Sequence, residues 1–404
     1  MTLEFRAVVP DEFETLRQTM GLVFGFDPTE GDERFRQLLS LERTRCGFDD
    51  GKMISTSGAF DLVMTVPGGE VACGGTTAVA VAPTHRRQGV LREMMRAHLD
   101  DVKEHEEPIA GLWASDSAIY GRFGYGCASL SYEIGVDLDH TGWNRLAPEA
   151  GRVRIVGRDE AIRLGPPLHD RLRKEVPGFF ERVPLWWENR SFRDTESARE
   201  GSTSLRYAVV DGDDGISGLV TYRSKADWNQ GHGAGKVVVK DLFGTDPGSW
   251  ASLWSYVLSQ DLMTRAEADL RPTWDPLFDL LAGTRRARAI RSDGLWVRLM
   301  DVPAALTARA YSAPVDVVLE VSDPLGDVSG SYRLRADEDG AACTTTTDPP
   351  SVRLDLEDLS SGYMGWPRFG ELARSGRLSG DPRYLSAMDA AFRWDPPPWC
   401  PEIF

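Results

Sequence analysis

Cysteine is scarce in this chain of 404 residues: Cys46, Cys73, Cys127, Cys343 and Cys400 lie far apart, are odd in number and never show C-x-x-C spacing. That pattern argues against a disulfide framework and a zinc ribbon, and it suits a reducing cytoplasm. Histidine is equally sparse. His98 and His105 share one helix face without an HExxH or paired carboxylates, so they are expected on a solvated face, and no metal is expected. Positive charge is short, with 46 Lys plus Arg against 62 Asp plus Glu and a formal net charge of −16. A nucleic-acid or anionic-membrane partner is therefore disfavoured, and cationic small molecules are favoured. Long apolar runs are missing. No segment nears the roughly 18 residues of a membrane span, and MTLEFRAVVPDEFETL lacks the apolar stretch of a leader. No G-x-S-x-G nucleophile elbow occurs either.

What is present is most informative at residues 79–95, VAVAPTHRRQGVLREMM. Val79 and Val81 alternate with alanines as in a strand, Pro83 ends the ladder, and Gly89 permits close backbone approach to a ligand. Leu91, Met94, Met95, Leu99 and Val102 then recur at helical spacing. A helix that opens beside Arg86 and Arg87 directs unpaired N–H groups and its positive dipole end at an anion. The turn has neither the Gly-Lys-Ser/Thr end of a kinase-type P-loop nor the three glycines of a dinucleotide fold. A pyrophosphate carrier such as coenzyme A remains.

A chain this long predicts two or three domains. Strands near 58–66 and 71–82, a helix over 91–105, a strand at 109–114, a short helix from Ser115 to Tyr120 and a closing strand at 129–136 form a first α/β unit. A turn-rich linker follows at 140–152. A second unit repeats the order of elements, with a helix near 159–175, strands near 205–210, 216–224 and 236–243, and a helix at 250–262. Its turn reads GTDPGSW, placing Asp246 where the first unit has arginines, so this copy is expected not to hold the pyrophosphate. From about residue 299 the pattern becomes α+β, and the tail WDPPPWCPEIF has the proline and aromatic content of a segment that docks.

The Arg-Arg-x-Gly turn between strand and helix, followed by Ser115 and Tyr120 in WASDSAIYGRFGYG, resembles the GCN5-related N-acetyltransferase superfamily. Within it, the whole chain is most similar to the actinobacterial enhanced intracellular survival (Eis) acetyltransferases; GLWVRLMDVPAAL at 294–306 and the ending EIF carry the likeness. The resemblance implies an acetyltransferase domain over 1–140, a degenerate second one over 150–297 and a sterol-carrier-protein-like α+β domain over 298–404. It implies acetyl-CoA held by Val79, Val81, Arg86, Arg87, Gln88, Gly89 and Val90, with Ser115 near the cofactor. Tyr120 becomes the general acid, and the terminal carboxylate of Phe404 the base. Phe24, Asp27 and Glu402 become candidates for binding the amine, and a homo-hexamer is implied. Two departures stand out in the turn, Leu91 in place of the small residue common in the superfamily and Gln88 between Arg87 and Gly89, and on the acceptor side FGFDP does not follow the family's acidic-aromatic pair. The expected activity is acetyl transfer to primary amines of cationic small molecules such as aminoglycosides, at one or several positions. Lipid binding through the third domain, and lysine or longer-chain acyl transfer, are the alternatives.

Overall fold

The computed structural model describes residues 3–28, 32–139, 142–148 and 151–404. Three sheets organise them. The first runs, in spatial order, Leu3–Arg6, Cys46–Asp49, Lys52–Val66, Gly69–Val81, Ile109–Trp113, Leu295–Leu299 and Gly126–Cys127. The second runs Ala287–Asp293, Leu130–Asp137, Met263–Arg271, Gly235–Gly244, Gly215–Lys225, Arg206–Gly212 and Val153–Val156. The third has five strands, Gly340–Thr345, Gly330–Asp337, Val315–Ser322, Val352–Asp355 and Ser379–Gly380. Two α/β units are thus followed by an α+β domain.

Each of the first two sheets has one parallel pair, Gly69–Val81 with Ile109–Trp113 and Gly235–Gly244 with Met263–Arg271. Parallel neighbours need a crossover, supplied by the helices Val90–Glu104 and Pro247–Leu258. Helix Val90–Glu104 buries Met94, Met95, His98, Leu99 and Val102 in one stripe.

The strand expected to close the first unit lies elsewhere. Leu130–Asp137 pairs with Met263–Arg271 and Ala287–Asp293 in the second sheet. In return Leu295–Leu299, expected at the start of the third domain, inserts between Ile109–Trp113 and Gly126–Cys127 in the first sheet. The two units therefore complete each other's sheets. The linker is described over 142–148, where Trp143 bridges to Leu281; residues 140, 141, 149 and 150 lie outside the described set.

The tail docks across all three domains. Trp399 is 2% exposed, donates its indole N–H to the Leu270 carbonyl at 2.6 Å and its backbone N–H to the Pro177 carbonyl at 2.8 Å. Gly178, at φ +96°, allows this approach, because a Cβ there would stand 3.0 Å from the Trp399 carbonyl oxygen. The third domain's own core is filled by Tyr363, Met364, Phe369, Met388 and Phe392. No helix among the described residues is long and apolar enough to cross a membrane.

Candidate active site

Strand Gly69–Val81 pairs with Lys52–Val66 along its whole length, but with Ile109–Trp113 only from Cys73–Ile109 to Gly75–Gly111. Beyond that point the parallel strands part, so one edge of residues 76–81 keeps backbone N–H and C=O groups unused by the ladder. Ala78, at φ 56°, sits at a register shift opposite residues 56–58. Its carbonyl accepts from Thr56 Oγ1 at 2.7 Å, which holds the kink and re-aims Val79.

The chain then enters the helix through Arg87 at φ 62° and Gly89 at φ +86°. Open space surrounds the Gly89 Cα, and no side chain caps this helix. Its first amides are left for a ligand. The second unit is the internal contrast. There Asp246 caps helix Pro247–Leu258, accepting from the Ser249 N–H at 2.9 Å and from its hydroxyl at 2.5 Å. That helix start carries its own carboxylate and cannot also take a phosphate.

A cavity of about 1040 Å³ joins these parts. Val79, Val81, Arg86, Arg87, Gly89 and Val90 line it together with Ser115, Tyr120 and Phe24. Gln88 does not line it, and its side-chain amide donates to the Thr84 carbonyl at 3.0 Å. Tyr120, 4% exposed, stands edge-on to Tyr125 with ring centres 6.1 Å apart. Burial pushes its phenol above the ordinary value, and a hydrogen bond with Ser115 partly offsets this. The short helix starts two residues later than expected. Asp116, not Ser115, caps Ser117–Tyr120 by accepting from the Ala118 N–H at 3.0 Å.

On the opposite face lies Phe404, 6% exposed. Its ring meets Phe180 at 5.6 Å, and a chain of edge contacts continues through Trp186 and Phe60 to Phe35. Strand Ile109–Trp113 separates the two clusters. Ile109 and Trp113 pack with the Phe404 group, while Ala110 and Leu112 pack with the Tyr120 group, as side-chain alternation requires.

Over residues 4–128 and 178–299 the chain matches the acetyltransferase (GNAT) domain family, and over 302–401 the sterol carrier protein domain family. It is 37% identical to an uncharacterised N-acetyltransferase of Streptomyces coelicolor across the full length of both chains. It is 35% identical to the N-acetyltransferase Eis of Mycobacterium tuberculosis, over 83% of this chain and 82% of that one. The chain belongs to the Eis-type N-acetyltransferases. The crystal structure of Eis1 from Mycobacterium abscessus superposes with a TM-score of 0.85 at 26% identity, covering 99% of this chain and all of that one. This protein is accordingly an acetyltransferase, and GNAT acetyltransferases draw their acyl group from acetyl-CoA. The cavity fits that substrate in size, in its basic turn, in its uncapped helix start and in its free strand edge.

For the acceptor side the Eis-type reading of the sequence needs correction. Glu402 is not poised for an amine: its carboxylate faces the buried Arg182 at 2.7 Å, and burial raises its pKa while Arg182 opposes the rise. That guanidinium is shared with Asp241, 3.3 Å away. Asp27 is exposed and does not line the cavity. His98, expected on a solvated face, is fully buried. Its Nε2 lies 2.9 Å from Thr76 Oγ1, which in turn lies 2.8 Å from the Tyr125 hydroxyl. Burial pushes its pKa down to about 4, so it sits neutral beneath the active-site strand. No metal-ligating cluster is found among the described residues. Sequence reasoning also missed Trp113 and Trp186 on the Phe404 side, which no local motif marks.

Proposed function

We propose that this protein transfers the acetyl group of acetyl-CoA to a primary amine, with Tyr120 as general acid and the Phe404 carboxylate as base. The observation that carries the reading is the single cavity shared by the free edge of residues 76–81, the uncapped helix start at Gly89 with Arg86 and Arg87, and the Tyr120 phenol. The pantetheine arm adds to the strand edge as an extra strand would, with Val79 and Val81 supplying backbone groups. Arg86, Arg87 and the amides of Gly89 and Val90 hold the pyrophosphate.

The amine comes from the Phe404 face through the parted strands. It arrives as an ammonium and gives a proton to the terminal carboxylate, directly or through water. The nitrogen lone pair attacks the thioester carbon, and backbone N–H groups near Val79 stabilise the oxyanion. Collapse breaks the C–S bond, the departing thiolate takes the Tyr120 proton, and the second proton lost by the nitrogen passes through water to restore the phenol.

The acceptor we propose is a cationic small molecule such as an aminoglycoside, acetylated at one or more amines. The chain's net charge of −16 supports this class, and Phe24 lines the cavity. Assembly as a homo-hexamer is proposed from the same resemblance. Thiol release measured with acetyl-CoA across aminoglycosides, polyamines and lysine peptides tests activity and class together. Turnover confined to lysine peptides would overturn the small-molecule reading, and no thiol release with any amine would overturn the whole.

A further inference from the structure

The third domain reaches into the donor cavity. Pro324 and Leu325 line it, although both lie within the sterol-carrier match and outside both acetyltransferase matches. Leu325 is half-buried and packs on the cluster formed by Tyr120, Phe123, Ile119 and Val79.

The loop that carries it is latched. Arg298, on the strand that the first sheet acquires from downstream, bonds Asp323 through both guanidinium nitrogens at 3.1 and 2.9 Å. The same Arg298 Nη1 donates to the Phe123 carbonyl at 2.6 Å, just beyond Tyr120. Asp323 also accepts from the Leu325 N–H at 3.1 Å and the Val328 N–H at 3.3 Å. Its own N–H goes to Ser329 Oγ at 2.9 Å. The two charged side chains are 1% and 0% exposed. Breaking a pair so buried would strand a charge, so the 323–328 loop is fixed against the wall that bears the general acid.

We infer that Leu325 is a specificity-determining residue for the acyl donor, the third domain supplying through it an apolar wall of the donor cavity. The inference rests on reading the cavity as the coenzyme A site. A pantetheine arm is largely methylene and methyl surface, which gains from an apolar wall and loses from a carboxylate placed there. Donor binding and third-domain docking are thereby linked, because a ligand that touches both stabilises their contact.

The test uses the full-length protein with acetyl-CoA and any amine that supports turnover. Leu325→Asp is expected to raise the acetyl-CoA KM and dissociation constant by about tenfold or more, and Leu325→Ala by roughly threefold, each tenfold being about 1.4 kcal/mol. The kcat at saturating donor and the amine KM should stay within about twofold, because nothing made only in the transition state is removed. Should Leu325→Asp not fold, Leu325→Ala carries the test alone. Arg86→Glu run alongside separates the two readings. If it weakens acetyl-CoA binding while the Leu325 variants do not, the inference is overturned and the cavity reading stands. If neither changes donor affinity, the cavity reading falls. A Leu325 effect confined to kcat would also overturn the inference.

Discussion

Replacing Tyr120 with phenylalanine deletes one oxygen from a ring that packing alone can hold. The ring is nearly buried, edge-on to Tyr125 at 6.1 Å and clustered with Leu112 and Phe123. Its hydroxyl bonds with Ser115, which is exposed and can turn to water instead. The stability cost should therefore lie near the low end of the ~0.5–1.5 kcal/mol of a lost hydrogen bond. The rate cost is different. General acid catalysis contributes about 10² to 10⁴-fold, and a thiolate is a better leaving group than an amine or alkoxide, so the lower part of that range applies. A fall in kcat of about 10²-fold, or about 2.7 kcal/mol of barrier, is expected. Because burial raises the Tyr120 pKa, the phenol remains protonated through neutral and mildly alkaline pH. The wild-type kcat should accordingly show no descending limb from this group below its ordinary value near ~10. Thiol release at saturating donor and amine gives kcat, and calorimetry with acetyl-CoA gives affinity, which should be unchanged. A kcat within about threefold of wild type in folded Tyr120→Phe would refute the acid role.

Arg86→Glu should weaken acetyl-CoA binding by about tenfold or more, since it replaces a phosphate-pairing cation with a repelling charge; equilibrium titration decides, and unchanged affinity removes the basic turn from the site. Two residues appended after Phe404 should lower kcat by about 10²-fold or more while donor affinity holds, because the nearly buried ring cannot keep its place against Phe180 with chain continuing beyond it; full turnover in the extended chain would end the carboxylate's role. His98 gives a pH-dependent stability. Its folded pKa of about 4 lies below the ordinary 6.5, so between those values the unfolded chain binds the extra proton. Stability is then complete above pH 6.5 and falls as pH drops toward 4, by on the order of 3 kcal/mol for this group. Urea melts across that window should show the slope, and His98→Gln should flatten it in part. Part should persist because His169, equally buried, is also held well below its usual pKa. An unchanged slope in His98→Gln would show that His98 does not titrate this way.

The strand, turn and helix that line the cavity were legible because their signals are local. Alternation through Val79 and Val81, the proline, the paired arginines and the glycine occupy one short run, and the structure turns that run into strand, bend and helix. Partner choice is not local. Alternation in SLSYEIGV marks a strand over Leu130–Asp137 but says nothing of which sheet it joins, and it joins the second. Glu402 illustrates the same limit, because its acidic character is visible in EIF while the distant Arg182 that it faces is not. His98 was within reach. The stripe through Met94, Met95, Leu99 and Val102 passes directly over it, and weighing that periodicity above the polarity of the side chain would have placed it inside.

The second unit has closed its own anion site with Asp246, yet it anchors nearly everything that fixes the tail. The Leu270 and Pro177 carbonyls accept from Trp399, Trp274 donates to the Pro397 carbonyl at 3.0 Å, Arg182 holds Glu402 and Phe180 packs on Phe404. Phe180 also bridges to Met64 on strand Lys52–Val66 of the first sheet. A unit without a donor site therefore sets the height of the terminal carboxylate relative to the strand that would bind the donor. On the proposed chemistry this explains why two units share sheets instead of merely touching. Reacting groups contribute through orientation only when held within a fraction of an ångström, and an exchanged strand on each side removes the hinge that a simple linker would leave between acid and base.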